Sequence, residues 1–343
     1  MTTVLSPGAR NAITDITGLS VGQAEDHRLI TGVTVVLAEE PVTAAVAVSG
    51  GGPGTRGTTI LDPASVMTKV DAIVLSGGSA FGLDAPGGAV DVLRRRGRGF
   101  AMGPVRVPIV PGAILFDLLT GDPAAAWEGP LWWHLARRAT DAALDAGGAE
   151  IALGAVGAGL GARAGGLKGG VGSASVEAPG MTVAALTAAN PLGEVIIPGS
   201  RAFWAHPWEL DGEFGAVAPP AAPGITDFDF EAFTAGQNTT LAVVATDLAL
   251  DRTQCLRVAV MAQDGFARAI RPVHSPLDGD TVFVLATGAR PTTDPIAQTA
   301  RAGMLAADCV ARSIARGVYE AESVAGLPAW RDLGEDGLLS DAR

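Results

Sequence analysis

Cysteine and histidine are scarce in this chain. Its 343 residues include two cysteines and four histidines. Cys255 and Cys309 fall in helix-like stretches and show no metal or redox spacing. His27, His134, His206 and His274 are scattered, with no H-x-x-x-H or H-x-H pair. Neither a metal site nor a cofactor is therefore expected. Charge is sparse too, at 17% of residues, and its formal balance is −12. Phosphate binding needs a basic footprint, so nucleic acid is excluded as a partner. The compact basic run Arg94-Arg95-Arg96-Gly97-Arg98 follows an apolar stretch and reads as a helix C-terminus, where cations suit the dipole. No uninterrupted apolar stretch reaches membrane-spanning length. The N-terminus has no basic segment followed by an apolar one, the pattern of a signal peptide. A cytoplasmic protein, away from membranes, is the expectation.

What the chain has in quantity is apolar residues, at 48%, and glycine, at 46 residues. The first implies a sizeable core. The second is roughly twice average usage, clustered as shaped loops and close backbone packing require. Along the chain, "NAITD" and "LSVGQAED" read as two short strands around a glycine turn. "TGVTVVLAE" and "TAAVAVSGGGPG" read as a hairpin joined by "EEPV". A buried strand over Ala72 to Leu75 runs through a Gly-Ser turn into a helix ending near Arg96. "AILFDLL" is an apolar segment whose strand is confined by flanking prolines. "LWWHLARRATDAALDAG" has helical spacing and stops at Gly147-Gly148. The Gly/Ala stretch from Gly154 to Gly172 lacks side-chain bulk and reads as backbone lining a site or an interface. "MTVAALTAANPLGEVIIP" reads as two strands around an Asn-Pro turn. A long linker rich in Pro and Gly, containing Phe203, Trp204 and Trp208, then leads to Asn238. Beyond it come strand, helix, strand and helix, the last capped by Thr293 or Asp294 with proline just inside. The alternation predicts a layered α/β body, one domain over residues 1–343.

Several stretches are candidates for chemistry. "SGGGPGTRG" and "LKGGVGSAS" fail the phosphate-loop and dinucleotide patterns and read as tight turns. Ser79 in "LSGGSAFG" follows a buried strand and precedes a helix, with His274 as an available base. A nucleophile elbow needs glycine two residues after the serine, and Phe81 stands there.

"NTTLAVV" offers more. Threonine is a poor nucleophile until a base takes its proton. Cutting the Asn238–Thr239 bond would free an α-amine on the residue that carries the hydroxyl, with a pKa of roughly 7.7–8.0. Asp278 and Asp280 in "PLDGDTVF" are two apart at the mouth of a strand, so both carboxylates fall on one face. Lys168, flanked by glycines, and Asn190, before a proline, are candidates to polarise a carbonyl or hold an oxyanion. Taken singly, each also has a plain reading as a turn or a solvated residue.

The ordered set "NAITDITGLSVG", "TGVTVVL", "GGPGTRGT", "VDAIVLSGGSAFGLDA", "VPIVPGAILFDL", "LKGGVGSAS", "NPLGEV", "NTT" and "DGDT" resembles the P1-family peptidases. These include the DmpA-type aminopeptidases and the nylon-oligomer hydrolases. The resemblance runs from about Asn11 to Gly317. It implies a four-layer αββα sandwich of the N-terminal-nucleophile-like kind, shared with ornithine acetyltransferases. It also implies self-cleavage into a large subunit, 1–238, and a small subunit, 239–343, that stay associated. In that frame Thr239 is the nucleophile and Asn238 precedes the cut. Asp278 and Asp280 match the acidic pair of the nylon-hydrolase branch, and Lys168 and Asn190 its assisting lysine and asparagine. Phe116 stands where members of the family carry tyrosine, and a phenyl ring cannot donate the hydrogen bond of a phenol to substrate.

The resulting expectation is a self-processed amide hydrolase or aminopeptidase acting on small peptides or amino-acid-derived oligomers. It would assemble as a homo-oligomer, a tetramer of processed heterodimers. An acyl transferase of the ornithine acetyltransferase type and an uncleaved binding protein are the alternatives.

Overall fold

The computed structural model describes residues 5–122, 127, 129–221, 227–228 and 238–339. Eight principal strands are β1 (Leu19–Asp26), β2 (Thr31–Val48), β3 (Lys69–Ser76), β4 (Gly112–Ile114), β5 (Gly170–Ala178), β6 (Met181–Ala189), β7 (Leu241–Leu248) and β8 (Thr281–Arg290). Four principal helices are α1 (Ala85–Arg95), α2 (Leu131–Ala146), α3 (Arg252–Ala269) and α4 (Pro295–Tyr319).

The strands join in the order β5-β6-β7-β8-β2-β3-β4, with β1 added on β2. Neighbours are antiparallel except β7 with β8 and β3 with β4. Strand β2 serves both halves of this sheet. Its first part pairs with β1 and β3, and Thr43–Val48 pairs with β8. Between Leu37 and Val42 the register shifts.

Three apolar cores separate four layers. One lies between α1 and α2 and the outer face of the first half, with Ala89 and Trp132 against Val33, Val35 and Val74. The second lies between the two halves, where Val36, Ile73 and Leu75 meet Leu186, Val243 and Phe283. The third packs Val244 and Val284 against Phe266, Val310 and Ile314 of α3 and α4. Successive residues of β7 and β8 alternate between the second and third cores, as a two-residue period requires. Both faces are buried, which explains why these strands read as unbroken apolar runs. The result is the expected αββα sandwich.

The helices obey their sequence signals. Asp251 accepts the Gln254 N–H in a capping box, Asp294 accepts the Ala297 N–H with Pro295 at the first helical position, and α2 ends on left-handed Gly147. Three expectations are corrected. "NAITD" is not a strand: Ile13–Asp15 forms a 3-10 turn. The hairpin around Pro41 is instead one 18-residue strand, with proline placed at the register shift, where a missing N–H is tolerated. "GEVIIP" makes only isolated bridges, Glu194 to Arg271 and Ile196 to Phe203. Phe203 is buried and packs on Phe214 and Trp330, so it belongs to a core. Positions 222–226 and 229–237 of the long linker lie outside the described residues.

Candidate active site

Strand direction brings five segments to one end of the second half. Parallel β7 and β8 start there together, and their approaches, Asn238 and Asp278, already form a bridge. Antiparallel β6 ends there, delivering Asn190, and β5 begins there, just after Lys168. Strand β2 ends there too, and in the loop just beyond it the Gly52 N–H donates to the Asp278 carbonyl at 2.7 Å.

Thr239 is buried at this meeting point. Its N–H donates to the Asn190 carbonyl at 2.7 Å, and its hydroxyl donates to the Asn238 carbonyl at 2.6 Å. The same carbonyl accepts the Gly279 N–H at 3.1 Å. The hydroxyl and a backbone donor thus converge on one carbonyl group.

Asp280 holds the residue after Thr239, whereas the Asp278 side chain holds Leu192 and Ser275. Asp280 accepts the Thr240 N–H at 2.8 Å through one oxygen, and its other oxygen lies 2.8 Å from His274 Nδ1. Asp278 accepts from the Leu192 N–H, and from the N–H and hydroxyl of Ser275. Burial and the Asp280 charge raise the Asp278 carboxyl above its ordinary range, against the hydrogen bonds from Ser275 and Leu192.

Lys168 is fully buried rather than solvated. Its Nζ donates to the carbonyls of Gly159, Ala162 and Gly169 at 2.7, 2.8 and 2.7 Å. The Gly/Ala stretch therefore does line the site, through its backbone. Burial pushes the ammonium down to about 7, opposed by the charge of Asp117. Asn190 uses its side chain for architecture: Oδ1 accepts the Arg163 N–H, and Nδ2 donates to the Phe116 carbonyl. Phe116 lines a cavity of about 230 Å³ with Leu29, Leu118, Leu119 and Trp132. Neither that cavity nor a larger one of about 420 Å³, at Arg10, Glu39 and Arg98, is lined by Thr239, Lys168, Asn190, Asp278 or Asp280.

Sequence reasoning missed Asp117, Ser275 and Gly279, and gave His274 a different role. His274 sits on Asp280, and Ser79, at φ +51°, opens a short helical turn. A carboxylate inside the apolar run "AILFDLL" was the available signal for Asp117. "HSPLDGD" holds the other three contiguously. Among the described residues no cluster of metal-binding side chains occurs, and no helix is long and apolar enough to cross a membrane.

The model of peptidase family S58 matches residues 11–329. The chain belongs to that family. Membership makes it a hydrolase of peptide or amide bonds. It is 44% identical to an uncharacterized aminopeptidase of Mycobacterium tuberculosis, over 94% of this chain and 98% of that one. It is 27% identical to the 6-aminohexanoate-oligomer endohydrolase of Paenarthrobacter ureafaciens, over 83% and 77% of the respective chains. Among solved structures, a Burkholderia β-aminopeptidase superposes with a TM-score of 0.65 at 23% identity, covering 96% of this chain and 92% of that one. The L-aminopeptidase D-Ala-esterase/amidase of Ochrobactrum anthropi, a variant of the Ntn hydrolase fold, gives 0.66 at 21% identity, covering 94% and 90%. These last two likenesses establish the fold.

Proposed function

We propose that this S58 hydrolase processes itself at Asn238–Thr239 and then works through Thr239 as an N-terminal nucleophile. The convergence of the Thr239 hydroxyl and the Gly279 N–H on the Asn238 carbonyl carries this reading. In processing, Oγ1 adds to the Asn238 carbonyl carbon and the amide nitrogen leaves with a proton. The resulting ester is hydrolysed by water, giving 1–238 and 239–343. The Gly279 N–H stabilises the developing oxyanion.

In the mature enzyme the freed amine takes the hydroxyl proton, and Oγ1 attacks the substrate amide carbonyl. The amine product departs with that proton, and water releases the acyl group from Thr239. Asp280 and Asp278 anchor the flanking backbone, while Lys168 and Asn190 fix the opposite wall. Substrates are small peptides or amides, with ω-amino-acid oligomers included, and the Phe116 cavity receives an apolar part of them. The processed pairs assemble as a homo-oligomer, a tetramer, for which the hairpin bearing exposed Phe100, Met102 and Val105 offers an apolar face.

Intact-mass measurement of the denatured protein tests the core of this reading. Two species are expected, the smaller beginning at Thr239, whereas Thr239→Ala stays whole and inactive. A Thr239→Ala protein that is cleaved and active would overturn it.

A further inference from the structure

Lys168 makes three hydrogen bonds to three different carbonyls. A neutral amine has only two hydrogens, so this arrangement requires the ammonium form. The group is fully buried, and a buried cation without a counter-charge is costly. All three of its direct acceptors are neutral backbone groups.

A charge that acts on it lies in the other half of the sandwich. Asp117 follows β4, is itself buried, and accepts the Gly78 N–H at 2.8 Å. Its side chain occupies a slot that only glycines leave open. A Cβ at Gly77 would lie 2.0 Å from Asp117 Oδ2, and one at Gly161 would lie 2.6 Å from Asp117 Cβ. Gly161 belongs to the turn whose Gly159 and Ala162 carbonyls hold the ammonium. That turn continues to Arg163, whose N–H fixes Asn190, whose carbonyl fixes the Thr239 N–H.

We infer that Asp117 is a positioning residue of the Thr239 site: it supplies the counter-charge that keeps Lys168 an ammonium and so holds the Gly159–Arg163 turn, Asn190 and Thr239 in place. The catalytic part of this inference rests on the proposed role of Thr239; the pairing with Lys168 does not. Other charged groups nearby face elsewhere. The Arg163 guanidinium turns to the Gly165 carbonyl and acts on Glu194, while Asp278 and Asp280 are engaged by Ser275 and His274. Burial raises Asp117 to about 6, opposed by the Thr31 hydroxyl, the Gly78 N–H and the Lys168 charge.

The chain contains only two lysines, Lys69 and Lys168, and Lys69 is exposed. Lysine labelled with 13C at Cε therefore gives two NMR signals that can be titrated separately. In the unsubstituted protein the Lys168 signal is expected to titrate near neutrality and to respond, at lower pH, to protonation of a carboxylate. In Asp117→Asn its midpoint moves toward acid, leaving about tenfold less ammonium at pH values well above the parent midpoint. The alkaline limb of kcat moves by the same amount with KM unchanged, and Asp117→Glu restores much of both. A Lys168 midpoint unchanged in Asp117→Asn overturns the inference. If that variant does not fold, a Lys168 signal in the unsubstituted protein that senses no carboxylate does so. A chain that neither self-cleaves nor turns over, yet shows the Lys168 shift, would overturn the Thr239 reading while leaving the pair intact.

Discussion

The hydroxyl of Thr239 lies 2.6 Å from the carbonyl oxygen of Asn238, the residue directly before it. Space for that contact depends on Gly279. A Cβ at Gly279 would stand 2.4 Å from Thr239 Oγ1. Gly279 is not among the left-handed glycines, so alanine meets no φ penalty there, although its Cβ would also stand 2.9 Å from the Gly52 carbonyl oxygen. Gly279→Ala should therefore displace the hydroxyl and shift the Gly52 backbone locally, and circular dichroism of the variant checks that the fold is kept. Self-cleavage is expected to slow by about 100-fold, as a displacement of that size can cause. A time course of intact mass on freshly translated protein checks it.

Asp280 joins Thr240 to His274 through its two oxygens. Asp280→Asn keeps the shape but weakens both bonds, since charge-assisted hydrogen bonds are the stronger kind. Unfolding free energy should fall by about 1–3 kcal/mol, the usual cost of damaging a buried polar contact. Turnover should fall further than stability explains. Urea melts and steady-state kinetics on the same preparation separate the two effects.

Ser275 gives the buried Asp278 carboxylate two of its hydrogen bonds, one from its backbone and one from its hydroxyl. Asp278 is already raised above its ordinary value, so the folded chain holds this proton more tightly than the unfolded chain does. Stability from this group is thus greatest in acid and falls as pH rises through the carboxylate range. Ser275→Ala removes the hydroxyl donor to the charged form and raises Asp278 further. The variant's stability loss should be smallest in acid and grow with pH until Asp278 is fully ionised. Chemical denaturation across that range measures it.

Glu213 and Arg312 form a buried ion pair, joined by Asn11 and Arg316. Glu213 precedes the proposed cut and Arg312 follows it, so the pair would tie the two fragments together. Glu213→Gln leaves the guanidinium without its counter-charge, at a cost of about 3–5 kcal/mol. The processed fragments should then separate at a lower urea concentration than in the parent protein. Size-exclusion chromatography in graded urea reads that directly.

Much of this protein is legible locally. The short apolar run of "LAVVATDL" and the helical spacing of "LWWHLARRATDAALDA" mark elements that form as read. Asn-Thr-Thr and Asp-Gly-Asp stand next to strand starts, and the parallel pairing of β7 with β8 sets them side by side. The groups proposed for the chemistry, a hydroxyl with two carboxylates, are read from residue type and local spacing.

Other features depended on partners far apart in the chain. The run through Pro41 looks like a hairpin until both ends of β2 find different neighbours, and proline falls where the register shifts. Lys168 looks like a solvated loop lysine until three carbonyls and the opposite layer close over it. His274 is an isolated histidine until a positive φ turns it onto Asp280. The sequence by itself determined most strands, the helices and the residue types offered for chemistry, because backbone periodicity and side-chain chemistry are local. Only the tertiary structure decided which polar groups are buried and what they bond. Burial is a property of the packed layers, and a buried donor or charge must take whichever partner those layers bring within reach.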